Sequence, residues 1–184
     1  MRAAGTPVDA VLDDTVARWG GELLGVPVVG GLSMLAGWQG ARAVIAIGNN
    51  VRRKQIAEAH PDVAWLTVVH PSALVHPSAV LGPGAMIIWR AIVEPDARIG
   101  AHAIINSGAV VCHDAVVGDY AHVSVTSTLA GGARVGDGVF LGMNACVIGT
   151  ATVGAWATVG AGASVVRDIP PGATAVGVPA RVRA

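Results

Sequence analysis

The chain has 184 residues, 53% of them hydrophobic but only 4% aromatic, with 25 glycines and a formal net charge of zero. That length suits one domain, or one with a small second unit, and the aliphatic, glycine-rich balance favours narrow β-structure over a core of large rings. No basic block and no apolar run near the ~20 residues of a bilayer span occur, which argues against nucleic-acid partners and membrane insertion.

The N-terminal segment lacks the apolar middle region of a signal peptide. Cys112 and Cys146 make no disulfide framework and are expected to be reduced thiols of a cytoplasmic protein.

Residues 1–68 read as a small α/β unit. "VDAVLDD" predicts a strand ending in Asp13 and Asp14. "ARAVIAIGNN" predicts a second, ending at Gly48. "NVRRKQIAEAH" predicts a helix capped by Asn49 or Asn50. "DVAWLTVV" predicts a third strand. Ligands of such units bind at the carboxyl ends of strands, which places Asp13, Asp14, Gly48 and Asn49 near a ligand. On local evidence a plainer reading is open and is the one favoured: the acids only end a strand, and Gly-Asn-Asn only caps a helix.

From Val69 a six-residue period takes over. Every sixth position through Val75, Leu81 and Ile87 to Val165 is Val, Ile or Leu. From Ala73 to Ala163 the residue four later is Ala, except at Ser127 and Val139. Glycine often follows the aliphatic residue, as at Gly82, Gly100, Gly118 and Gly136. Neither a helix, of period 3.6, nor a two-faced strand, of period 2, explains this. It describes one side of a triangular coil, with the branched residue inside and the small one near a corner. Three units make a turn, so residues 69–184 predict a parallel β-helix of between about five and six turns, with a tail. The fold class is mainly β.

The stretch "AVVCHDAVVGDYAHVS" carries the chemistry. Val111 and Ala115 take the inward positions, leaving His113 and Asp114 outside at a corner. Asn106 and His122 also avoid inward positions. An imidazole beside a carboxylate suits proton transfer near neutrality; the bland alternative is an exposed pair with no role. Cys112 beside His113 is a poor nucleophile–base pair, because neighbours on extended chain point to opposite faces.

The order "LDD", "GVPVVGG", "AIGNN" with "RRK", "HPSA", "INSGAVVCHDAVVGDYAHVS" and the ending "VVRDIPPGATAVGVPARV" resembles a family of bacterial hexapeptide-repeat sugar acetyltransferases. These are the sialic acid O-acetyltransferases and the UDP-4-amino-sugar N-acetyltransferases of bacillosamine synthesis. The resemblance covers nearly the whole chain. It implies a left-handed coil, where sterics alone would predict right-handed crossovers. It also implies a homotrimer, with acetyl-CoA along the coils between subunits and a nucleotide-sugar held by a Rossmann-like N-terminal unit. Substrate contacts would then be Asp13, Asp14, Gly48, Asn49 and Asn106. His113 would be the general base, with Asp114 orienting it. His122 and the Gly131 amide would lie near the thioester, and Ala161 and Gly177 would be further acetyl-CoA contacts.

The activity implied is acetyl transfer to the amino group of a nucleotide-linked sugar. O-acetylation of a sialic acid is the close rival, and a non-catalytic trimeric sugar-binding scaffold the third reading. No metal is expected: the six histidines are never five residues apart, as the pair in zinc-binding β-helices is. One departure is large. The strand and G-x-G-G-x-G turn that open the family's pattern have no match, so the N-terminal unit is expected to be incomplete, either by natural truncation or because the true start lies upstream of Met1.

Overall fold

The computed structural model describes residues 5–38 and 40–183. The expectation about the chain's start concerns Met1, which lies outside them.

The N-terminal segment begins with strands β1 (Val11–Leu12), β2 (Glu22–Leu23) and β3 (Val26–Gly30). β1 pairs parallel and β2 antiparallel to β3. Strands β4 (Arg42–Ala43) and β5 (Ala64–Trp65) form a separate parallel pair, with helix α1 (Asn50–Ala59) between them in sequence. The alternation of strand and helix suggests one sheet. The strands form two, and a cleft of about 1230 Å³ opens between them. The predicted strand through Gly48 is paired only at Arg42–Ala43. Its partner strand leaves after Leu66, whose N–H still reaches Ala43 O, and Val68 joins the coil opposite Met86.

Two-residue strands then recur every six residues, from Val68–Val69 to Ser164–Val165. They stack into three parallel sheets. The first starts at Val68–Val69, the second at Leu74–Val75 and the third at Val80–Leu81. Each residue pairs with the one a full turn later: Ile92 with Val110, Ile99 with Val117, Ile105 with Val123. The inward residues are sealed. Ile87, Ile105, Leu129 and Leu141 are fully buried, as are the alanines from Ala103 to Ala121. Burying such an aliphatic side chain contributes about 1.5–3 kcal/mol. Ser127, at a small position, is buried too, and its hydroxyl donates to Gly142 O at 2.8 Å.

The corners explain the remaining pattern. Every sixth residue from Gly84 to Gly162, except Thr150, has φ between +54° and +74°. At Gly118 a Cβ would sit 2.5 Å from Asp137 N and 2.6 Å from Gly136 C, so the next coil approaches too closely for any side chain. At the C-terminal end, Thr174–Val176 extends the first sheet and Arg181–Val182 returns antiparallel to it, pairing the edge.

Helix α1 docks on the coil mainly through polar groups. Arg53 is fully buried. It donates from Nε to His102 O at 2.7 Å, from Nη1 to Ile47 O at 2.8 Å, and from Nη2 to Tyr120 O at 2.6 Å and Asn50 Oδ1 at 2.9 Å. Asn50 donates to Gly138 O and Val139 O, both at 3.1 Å. His102, Tyr120 and Gly138 occupy the same corner on successive coils. Their positive φ turns their carbonyls out of the ladder, and α1 supplies the donors.

Candidate functional site

The corner after the second sheet carries the acid–imidazole pair. His113 Nδ1 lies 2.8 Å from Asp114 Oδ2, and both side chains are exposed. Asp114 has φ +59°, a conformation that aspartate tolerates better than most residues. That bend folds the carboxylate back onto the preceding ring, while Asp114 N–H donates to Pro95 O at 3.1 Å. The main-chain N–H of His113 donates to Glu94 Oε2 at 2.9 Å, from the coil before. The hydrogen bond to Asp114, with the charges of Asp114 and Glu94, raises the His113 imidazole above its ordinary value. With Asp114 accepting at Nδ1, the neutral ring presents Nε2 as its basic atom.

The coil after places Gly131 against that atom. A Cβ on Gly131 would lie 2.6 Å from both Cε1 and Nε2 of His113. Two equivalent corner amides, both after third-sheet strands, are capped by a carboxylate one turn later: Ala101 N–H by Asp119 at 2.7 Å and Asp119 N–H by Asp137 at 2.9 Å. One turn after Gly131 stands Gly149, which has no side chain to offer. Among the described residues, Gly131 N–H has no acceptor. A base and a main-chain donor thus share one exposed corner. Gly131→Ala should keep the fold, because only the movable His113 ring is in the way. It should displace that ring and lower kcat by about tenfold to a hundredfold, checked by steady-state kinetics beside a melting curve.

The Cys112 thiol is pushed up by burial and by Glu94, so it offers no thiolate at neutral pH. Among the described residues no group of three or more His, Cys, Asp or Glu is gathered as a metal would require.

Asn106 and His122 form a second cluster, on the first sheet. Asn106 Oδ1 accepts Ser107 N–H at 2.8 Å, which turns Nδ2 toward His122 Nε2 at 3.0 Å. His122 Nδ1 then faces Gly48 O at a long 3.4 Å. Although His122 takes an outward position of the coil, the Gly48 loop and Phe140 cover it. Burial lowers its pKa, so the ring is neutral at pH 7. Within one chain this cluster and the His113 pair stand at different corners of the coil. The reason is register: Asn106 follows a first-sheet strand and His113 a second-sheet strand. Ala161 and Gly177, both exposed, also follow first-sheet strands; Gly177 O accepts Ser164 N–H at 3.0 Å.

The N-terminal acids have local partners. Asp13 accepts Thr15 N–H at 2.8 Å and Arg18 Nη1 at 2.6 Å, which hold its carboxyl below the usual range. Asp14 accepts Leu32 N–H and Arg52 Nη2, both at 2.9 Å. Both acids line the cleft between the two sheets, with Trp38, Arg52 and Trp65. Asn49 caps α1 by accepting Arg52 N–H at 2.9 Å, as the plainer reading has it. Sequence reasoning missed Glu94 and Arg53, and took Asn50 for no more than a helix cap; only alignment on the 18-residue turn would have put Glu94 beside Cys112 and His113.

No family model and no curated protein matches the chain. Solved structures do. A histidine-to-alanine variant of GDP-perosamine N-acetyltransferase from Caulobacter crescentus, in complex with CoA and GDP-perosamine, is 41% identical. The match has a TM-score of 0.93 and covers 100% of this chain and 88% of that one. The acetyltransferase domain of PglB from Neisseria gonorrhoeae, in complex with acetyl coenzyme A, is 35% identical, with a TM-score of 0.92 over 99% of this chain and 90% of that one.

Proposed function

Because the chain belongs to the hexapeptide-repeat sugar acetyltransferases, whose coil is a left-handed parallel β-helix, we propose that it moves acetyl from acetyl-CoA to the amino group of a nucleotide-linked amino sugar. The observation that carries the reading is the His113–Asp114 pair lying on Gly131, in a chain similar along its whole length to a GDP-perosamine N-acetyltransferase. The substrate amine attacks the thioester carbonyl as His113 Nε2 takes its proton. Asp114 stabilises the imidazolium that forms. The tetrahedral oxyanion meets the Gly131 N–H, a donor already fixed in place. The intermediate then expels CoA thiolate, which takes the proton from His113, leaving an amide and free CoA.

The working unit is a homotrimer. Its support is the separation of the two clusters: a neighbouring copy that lays its first-sheet edge, with Asn106, His122, Ala161 and Gly177, along the His113 corner completes one site. Asp13, Asp14, Gly48 and Asn49 hold the nucleotide-sugar from the N-terminal segment, residues 1–68, and residues 69–184 carry the transfer. Acetyl-CoA and nucleotide sugars are cytoplasmic metabolites, which supports a cytoplasmic location.

Release of CoA thiol over GDP-, UDP- and dTDP-linked amino sugars and free sialic acid tests the reading. Thiol release with an amino sugar, an N-acetyl product and a three-chain particle in sedimentation are expected. Turnover of sialic acid instead would make the protein an O-acetyltransferase, and no release with any acceptor would leave a sugar-binding scaffold.

A further inference from the structure

Glu94 stands out among the carboxylates of the coil. Asp119 and Asp137 each cap a corner amide of the preceding turn, a repeating structural role. Glu94 does the reverse: it reaches forward and accepts the N–H of His113 itself. The equivalent positions on the next coils are Cys112, Ala130 and Ile148, none of which can do this. Pro95, directly before His113 in the stack of corners, has no N–H to compete for the carboxylate.

The geometry points to Glu94 as a positioning residue for acetyl transfer, anchoring the main chain of His113 over Gly131 and adding negative charge beside the imidazole. The inference rests on His113 being the base. The groups that face the ring are few. Asp114 lies on its own turn, Glu94 lies on the preceding coil, and the following coil presents the Gly131 backbone. Both carboxylates favour the imidazolium, so removing one makes the ring a weaker base that stays neutral to lower pH.

Two variants separate anchor from charge. Glu94→Gln keeps an oxygen for the His113 N–H and loses the charge. Its His113 ring should titrate lower by about 0.5 unit in NMR, the acid limb of kcat/KM should move down with it, and kcat should fall about threefold to tenfold. Glu94→Ala also loses the anchor, and kcat should fall about a hundredfold. KM for acetyl-CoA should hold in both, since Glu94 is assigned no substrate contact. An unchanged ring titration in folded Glu94→Gln overturns the inference. The NMR arm needs no turnover, so it reports on Glu94 even if His113→Ala proves active and the base assignment fails.

Discussion

Replacing His113 with alanine is expected to lower kcat by about 10²–10⁴-fold, the usual contribution of a positioned base, with little change in KM for acetyl-CoA. The side chain is exposed at a coil corner and is not part of the buried core, so the melting temperature should hold. The pH profile carries a second signature. A base must be neutral to accept the amine proton, so activity falls as pH drops through its pKa. Asp114 and Glu94 raise that pKa, so the acid limb should lie above the ordinary imidazole value. Asp114→Asn should move it to lower pH and reduce kcat. Wild-type turnover in His113→Ala would remove the assignment.

Arg53→Ala should have the largest effect on structure. The guanidinium is fully buried, and burial brings its pKa down to about 10, so it remains charged at neutral pH. Besides the Asn50 side chain, it donates to main-chain carbonyls: His102 and Tyr120 on two coils and Ile47 before the helix. Truncation leaves these oxygens without donors and opens a cavity, a loss of about 3 kcal/mol or more. For a chain of this size that is a drop of roughly 6–12 °C. The effect should be local. Hydrogen exchange should show α1 losing protection while the coil strands keep theirs, because the coil ladder needs nothing from the helix. Lysine should not rescue, since three donors on one nitrogen cannot reach carbonyls spread around a planar fork. An unchanged melt and exchange pattern would show that α1 is held by Ile56 and Ala57 instead.

The two variants mark where legibility ended. His113 and Asp114 stood out in the sequence because the six-residue ladder assigns each position to inside or outside, and these two fall outside. Arg53 did not, because "RRK" on a helix reads as a solvated charge run, and its acceptors lie 49 and 67 residues away on the coil. Glu94 was invisible for the same reason: its partner is 19 residues on, one full turn plus one. The ladder puts His122 on the outside, and only the docked Gly48 loop covers it.

The sequence by itself determined the coil. Which residues fill a narrow interior is a local choice, made again every six residues, so Val111, Val117 and Val123 declare the fold without reference to anything distant. Tertiary structure alone decided the rest. It set which corner each polar group occupies, that Asn106 turns to His122 rather than His113, that the N-terminal strands split into two sheets around a cleft, and that Gly131 keeps its N–H open beside the imidazole. Those outcomes depend on stacking across 18-residue turns and on docking of a helix from outside the repeat. Their partners are near in space and far in sequence.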